Sequence, residues 1–188
     1  SQLNFLTIAL QKYKLLKPNF GLFYDKCFEL IQSKNRNYAI FIWSKIEGVL
    51  KNFHSLIANE NVNLKTLYEE VDEYINILTQ LATKTDHLII NAWSLPENER
   101  GKYLNDYTDN LGLSKNINLI NTKISNQLKK EKNIIYLNID FWIKHYNFNY
   151  NPKLWYAAKI PFSQKVFEVA ADEFIKIINA FEGKNKKL

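Results

Sequence analysis

The side chains able to do chemistry are few and scattered. Three histidines, His54, His87 and His145, and one cysteine, Cys27, are the chain's only imidazole and thiol groups. A serine or thiol nucleophile needs a base brought to it, so the placement of these few groups decides what catalysis is open. Cys27 falls on the apolar pattern of its helix and reads as a small buried hydrophobe rather than an acyl-carrying thiol. His87 stands at the start of a strand, and His145 sits among aromatics; both positions favour packing. No His/Cys pair has the spacing of metal ligands, and the acidic run Glu69-Glu70-Val71-Asp72-Glu73 reads as the solvated face of a helix. The five glycines stand apart, which leaves no phosphate-cradling loop. What remains is polar residues following apolar runs: Tyr24-Asp25, Trp43-Ser44, Asn91-Ala92-Trp93-Ser94 and Asn138-Ile139-Asp140, with Ser1 at the start. They supply hydroxyls, amides and a carboxylate, groups that hold a ligand more readily than they move a proton.

Such residues act together only if the backbone gathers them. Apolar runs predict strands at Phe20–Tyr24, Tyr38–Trp43, His87–Asn91 and Ile134–Ile139. Helical periodicity predicts helices at Leu3–Tyr13, Asp25–Ser33, near Gly48–Ala58, from Asn63 through Leu81, from Ser114 through Leu128 and from Ser163 to Gly183. Asn63 and Ser114 are the expected N-caps, and Gly183 the expected C-terminal stop. Tyr38–Trp43 is continuous and aromatic, the pattern of a strand covered on both faces. Strands alternating with helices predict an α/β fold: a mostly parallel sheet with helices on both faces. Ligands in such sheets bind beyond the carboxyl ends of the strands, where Ser44, Asn91, Trp93, Ser94 and Asp140 would converge. A doubly wound domain opens on a strand near the middle of its sheet, so a strand preceding Ser1 is expected.

The chain has 188 residues, 46% hydrophobic and 23% charged, which suits one ordinary domain. Its uncharged apolar runs fall far short of the roughly 20 residues of a membrane-spanning helix, so no membrane span is expected, nor a signal peptide at the start. A single cysteine fits a reducing, cytoplasmic compartment. The net charge of +6 invites a nucleic-acid reading, but only Arg36 and Arg100 are arginines and no block of five or six like charges occurs. Phosphate and base recognition favour the guanidinium fork; the lysines travel with abundant Asn, Ile and Tyr, as an AT-rich genome gives in any protein, and an acidic protein partner would suit the charge as well. The lack of methionine and the stop soon after a helix are what a fragment would show.

The segment Asn151-Pro152-Lys153-Leu154-Trp155-Tyr156-Ala157-Ala158-Lys159-Ile160-Pro161-Phe162-Ser163 is followed by a helix ending Asn179-Ala180-Phe181-Glu182-Gly183-Lys184. It resembles the end of the N-terminal domain of FkbH-like proteins, where that domain hands over to a haloacid-dehalogenase (HAD) superfamily domain. Phe41-Ile42-Trp43-Ser44, Asn91-Ala92-Trp93-Ser94-Leu95-Pro96, Leu119-Ile120-Asn121 and Tyr136-Leu137-Asn138-Ile139-Asp140 resemble the same domain in the same order. The resemblance implies a three-layer α/β/α, SGNH-hydrolase-like (flavodoxin-like) single domain over residues 1–183, with 184–188 opening a linker to a C-terminal HAD domain.

In the SGNH pattern a serine follows the first strand, and Ser1 falls at that place. The pattern's Gly-x-Asn-Asp reads Trp43-Ser44-Lys45 here, and its Asp-x-x-His reads Ala158-Lys159-Ile160-Pro161. The resemblance therefore implies an incomplete triad, with Lys159 the remaining candidate base. Ser44, Asn91, Trp93, Ser94, Asp140 and Trp155 become candidate substrate-binding residues. It also implies no cofactor in this domain, since Mg2+ belongs to the HAD domain. The implied partners are an acyl carrier protein and the chain's own HAD domain, with no nucleic acid and no membrane. The parent would be a bacterial cytoplasmic enzyme that loads a glyceryl group, taken from a phosphorylated three-carbon intermediate and dephosphorylated, onto the carrier for polyketide or surface-glycan biosynthesis. Two other classes stand beside this one: an esterase or acyltransferase using Ser1, and a docking or dimerisation module.

Overall fold

A leucine, valine, tyrosine or isoleucine recurs every three or four residues along Leu64–Ala82, and this periodicity writes the longest helix of the fold. Leu67, Val71, Tyr74, Ile75, Leu78 and Leu81 are all buried by it. Asn63 closes its first turn, its side-chain oxygen accepting the Lys65 N–H at 3.0 Å and the Thr66 N–H at 3.4 Å. Such a cap contributes about 1 kcal/mol.

The structure is a computed structural model describing residues 23–58, 60–94, 106–108, 110–139 and 164–184. In chain order the elements are α1 (Phe23–Gln32), β1 (Asn37–Ile42), a 3-10 turn (Ile46–Gly48), α2 (Phe53–Ile57), α3 (Leu64–Ala82), β2 (Thr85–Asn91), α4 (Leu113–Leu128), β3 (Ile134–Leu137) and α5 (Gln164–Phe181). The strands pair in parallel in the order β1-β2-β3, with Ile40 opposite Leu88 and Leu88 opposite Ile134. Each parallel step needs a crossover, which α2 with α3 and then α4 provide. Helix α3 packs against β2, α1 and α4.

Leu88 and Ile90 join the apolar core with Phe53, Leu67, Leu78 and Ile120. Ile89 points to the other face by strand alternation and is also sealed, at 1% exposed. Both faces of the middle strand are thus covered, as in a three-layer α/β/α architecture. The chain divides into two compact units, Pro18–Ile139 and a second that joins Ser1–Lys17 to Asp140–Leu188. The described part of the second unit is α5 with its cap. Gly183 stops α5 in the left-handed region at φ 65°, which glycine adopts without strain. The Lys184 N–H then reaches back to the Asn179 carbonyl at 2.8 Å and the Gly183 N–H to that of Ala180 at 3.2 Å.

Polar stitches hold the amino ends of the strands together. Arg36 donates to an Asp86 carboxylate oxygen at 2.7 Å and to the carbonyls of Thr83 and Thr85 at 2.9 and 3.1 Å. The Asn37 N–H donates to the Lys84 carbonyl at 2.9 Å. From the far side, Asn133 Nδ2 donates to the carbonyls of Ala82 and Thr85 at 2.8 and 3.1 Å.

The structure corrects several expectations. Phe23 and Tyr24 were expected to end a strand; they form the first turn of α1, because with Cys27, Leu30 and Ile31 they complete a helical stripe against the core. The carboxyl end expected at Tyr24-Asp25 is therefore helix. Ser114 is not the N-cap of α4. Gly112 holds that position, and the Asp106 carboxylate caps from outside, accepting the Ser114 N–H at 3.1 Å and Oγ–H at 2.7 Å. A carboxylate there accepts two bonds and complements the helix dipole. Strand β1 is not sealed on both faces: it borders the described sheet, only Ile42 in it is buried, and Tyr38 is 43% exposed. Strand β2 starts earlier than expected, at the fully buried Thr85, and β3 ends at Leu137. The expected helix Leu3–Tyr13 and the aromatic stretch Phe141–Phe162 lie outside the described residues, as do Phe20, Gly21 and Leu22 of the first expected strand.

Candidate functional site

Where β1 and β2 end, their backbones stop pairing and a side chain takes over. Asn91, the last residue of β2, is 3% exposed. Its Oδ1 accepts the Ser44 N–H at 2.8 Å, and its Nδ2 donates to the carbonyls of Ser44 and Ala92, each at 3.0 Å. A carboxamide carries the donor and acceptor of a peptide group, so Asn91 adds one rung to the sheet after the strands have parted. Asn121 on α4 repeats the device: Oδ1 accepts the Trp93 N–H at 3.0 Å and Nδ2 donates to the Trp93 carbonyl at 2.8 Å. Tyr136 on β3 donates its hydroxyl to the same Asn121 oxygen at 2.6 Å.

Trp93 ties the two amide rungs together. Its Nε1–H donates to Ser44 Oγ at 3.1 Å, and its ring lies 5.0 Å from that of Tyr74 at 30°. The Ser44 side chain interacts with the Tyr74 hydroxyl, and the Phe23 ring lies 5.8 Å from that of Tyr74, tilted by 48°. Ser44, Asn91 and Trp93, expected together from their positions after strands, are thus in one network. Ser94 follows directly and is half-buried. Ser1, Lys159, Asp140 and Trp155 lie outside the described residues. Tyr74, Asn121 and Tyr136 were not expected as site residues. A tyrosine on an otherwise aliphatic helix face was the available signal, since a buried hydroxyl must find a partner.

The bonded groups in this network are hydroxyls, an indole, amides and backbone. All are neutral, so the network can fix the shape of the sheet's carboxyl edge but holds no base. Burial pushes the Tyr74 and Tyr136 hydroxyls far above the ordinary phenol range, with Ser44 drawing Tyr74 back in part. Burial, with the charges of Glu73 and Glu70, does the same to Tyr24. Burial also pushes the Cys27 thiol up to about 12, which leaves it protonated at neutral pH.

These groups hold their protons more tightly folded than unfolded. The stability they contribute is complete below the unfolded values, about 8.5 for Cys and 10 for Tyr, and is lost as pH rises through the raised folded ones. We expect alkaline unfolding in which part of the tyrosinate absorbance appears only together with the loss of far-ultraviolet circular dichroism. Complete tyrosine ionisation ahead of unfolding would contradict it.

The other candidate groups stand apart. His87 lies in the amino half of β2, edge-on to the Tyr38 ring at 5.3 Å, and His54 is exposed on α2. Within the acidic run, Glu70 accepts the Asn52 N–H at 3.0 Å and its Nδ2 at 2.9 Å, and Asp72 pairs with Lys123 at 2.8 Å. Among the described residues no three His, Cys, Asp or Glu side chains form a group able to hold a metal ion. No helix among the described residues is long and apolar enough to cross a membrane.

The site is therefore the carboxyl edge of a parallel sheet in an α/β domain, locked by neutral polar groups. Among solved structures, the chain is similar to the N-terminal part of the protein BF1531 from Bacteroides fragilis, containing a phosphatase domain complexed with Mg. The TM-score is 0.70 at 16% identity, and the match covers 99% of this chain and 50% of that one. At this identity the likeness shows the shared fold, and the chain spans half the length of that structure. No family model matches the chain, and no curated protein matches it.

Proposed function

We propose that this chain is an N-terminal domain of an FkbH-like, HAD-family protein that positions substrate or carrier and does not itself hydrolyse. The observation that carries this reading is the likeness, along nearly the whole chain, to the N-terminal part of a protein that contains a phosphatase domain. The resemblance of Asn151–Ser163 to an FkbH-like domain junction supports it from the sequence. In this reading the phosphoryl chemistry belongs to a HAD domain with its Mg2+, and the glyceryl product passes to an acyl carrier protein. The neutral lock around Asn91 and Asn121 supports a positioning role, since it offers rigidity without a proton acceptor.

Incubating the chain with short acyl esters and acyl-carrier thioesters should give no turnover, while calorimetry detects binding of the carrier protein. Turnover abolished by Ser1→Ala would overturn the reading in favour of an esterase or acyltransferase. Absence of carrier binding, with self-association in sedimentation, would replace it with a dimerisation module.

A further inference from the structure

No stretch of the sequence carries five or six like charges, yet the fold assembles such a group. The loops entering β1, β2 and β3 bring Lys34 and Arg36, Lys84, and Lys129, Lys130 and Lys132 to the amino edge of the sheet. The bonds of Arg36 and Asn133 described above fasten these loops to one another, and Lys84 Nζ reaches the Ser33 carbonyl at 3.4 Å. Six basic residues there face two acidic ones, Asp86 and Glu131. Asp86 is held by Arg36. Lys34, Lys129, Lys130 and Lys132 are exposed and make no ion pair with a described residue.

Part of this charge has a local use. Helices α1, α3 and α4 all end at this edge, and a lysine at a helix C-terminus complements the negative end of the helix dipole. One lysine per helix satisfies that need; the second and third on the α4–β3 loop do not. Lys129, Lys130 and Lys132 crowd one short loop, where like charges raise each other's energy unless something negative covers them.

We propose that the amino edge of the sheet is a docking surface for a protein partner presenting clustered carboxylates. Lysines are point charges that suit carboxylates on a varied surface, whereas the one guanidinium here, best fitted to phosphate, is already bonded to Asp86, Thr83 and Thr85. Tyr38, exposed at the start of β1, supplies the aromatic ring that protein interfaces use as an anchor. The surface lies at the opposite end of the strands from the Asn91 network, about 20 Å away along a seven-residue strand. A partner bound there leaves the carboxyl edge open. The proposal does not depend on the glyceryl reading.

Two double variants of equal charge change test it: K130E/K132E at this edge, and K51E/K65E on exposed lysines near the start of α2 and α3, toward the other edge. Binding of labelled poly-L-glutamate at low salt, read by fluorescence anisotropy, should weaken about tenfold in K130E/K132E and less than about threefold in K51E/K65E. The neutral pair K130Q/K132Q should fall between wild type and K130E/K132E, and circular dichroism confirms that each variant is folded. Equal losses in both charge-reversed variants would reduce the effect to net charge and overturn the proposal. So would a DNA duplex that binds more tightly than poly-L-glutamate at the same salt with the same sensitivity to K130E/K132E, or a wild type that binds no poly-L-glutamate.

Discussion

Replacing Asn91 with leucine is expected to lower the unfolding free energy by about 3–5 kcal/mol, although leucine is close to asparagine in size and the site is buried. The substitution removes the acceptor of the Ser44 N–H and the donor to the Ser44 and Ala92 carbonyls. Each buried polar group left without a partner costs about 1–3 kcal/mol, and leucine has nothing to offer them. Urea denaturation measures the effect; a loss under about 1 kcal/mol would show that the rung is ornamental. Asn91→Asp sharpens the test through its pH dependence. The new carboxyl would be buried and would face two carbonyl oxygens, so its folded pKa would rise above the unfolded value of about 3.9. A raised folded pKa means that stability is greatest below pH 4 and falls as pH rises through the folded value. The variant should therefore approach wild-type stability in acid, and a deficit independent of pH would contradict the account.

Trp93→Ala should be comparably damaging, at about 3–5 kcal/mol, the usual cost of truncating a buried aromatic side chain. Trp93 is 3% exposed, covers the Tyr74 ring and donates to Ser44 Oγ. Trp93→Phe separates these contributions. It keeps an aromatic surface over Tyr74 but loses the indole N–H, and its cost should be about 1–2 kcal/mol, the range for one hydrogen bond with a small void. Chemical denaturation of both variants measures the two values. Equal losses would mean that the hydrogen bond to Ser44, not the packing on Tyr74, holds this corner together.

Local signals made much of the fold legible. The stripe from Leu67 to Leu81, the cap at Asn63, the apolar strands and the stop at Gly183 each act within a few residues. What escaped was non-local or ambiguous. An apolar run as short as Phe20–Tyr24 has no period of its own, and only its continuation through Cys27 and Ile31 marks Phe23 and Tyr24 as helical. The α4 cap is reached from Asp106, so the nearer Ser114 was the natural choice and the wrong one.

For the candidate site, position after a strand was enough to bring Ser44, Asn91 and Trp93 together. Their bonding was not legible, because the Asn91 to Ser44 and Trp93 to Ser44 contacts span 47 and 49 residues. The partners Asn121 and Tyr136 come from separate elements. The charge at the amino edge escaped for the same reason: its lysines are neighbours in space but belong to three loops.

The two asparagine rungs also reach into the protein's behaviour over minutes and hours. Ser44 and Trp93 lie outside the regular strands, where backbone amides ordinarily trade their hydrogens with solvent quickly. Here each is held by a carboxamide, one from Asn91 and one from Asn121. In deuterated buffer both amides should therefore exchange as slowly as those of β2, waiting on sub-global opening of the domain rather than on local fraying. The protected region would then extend past the last residue of β2 and take in this carboxyl edge.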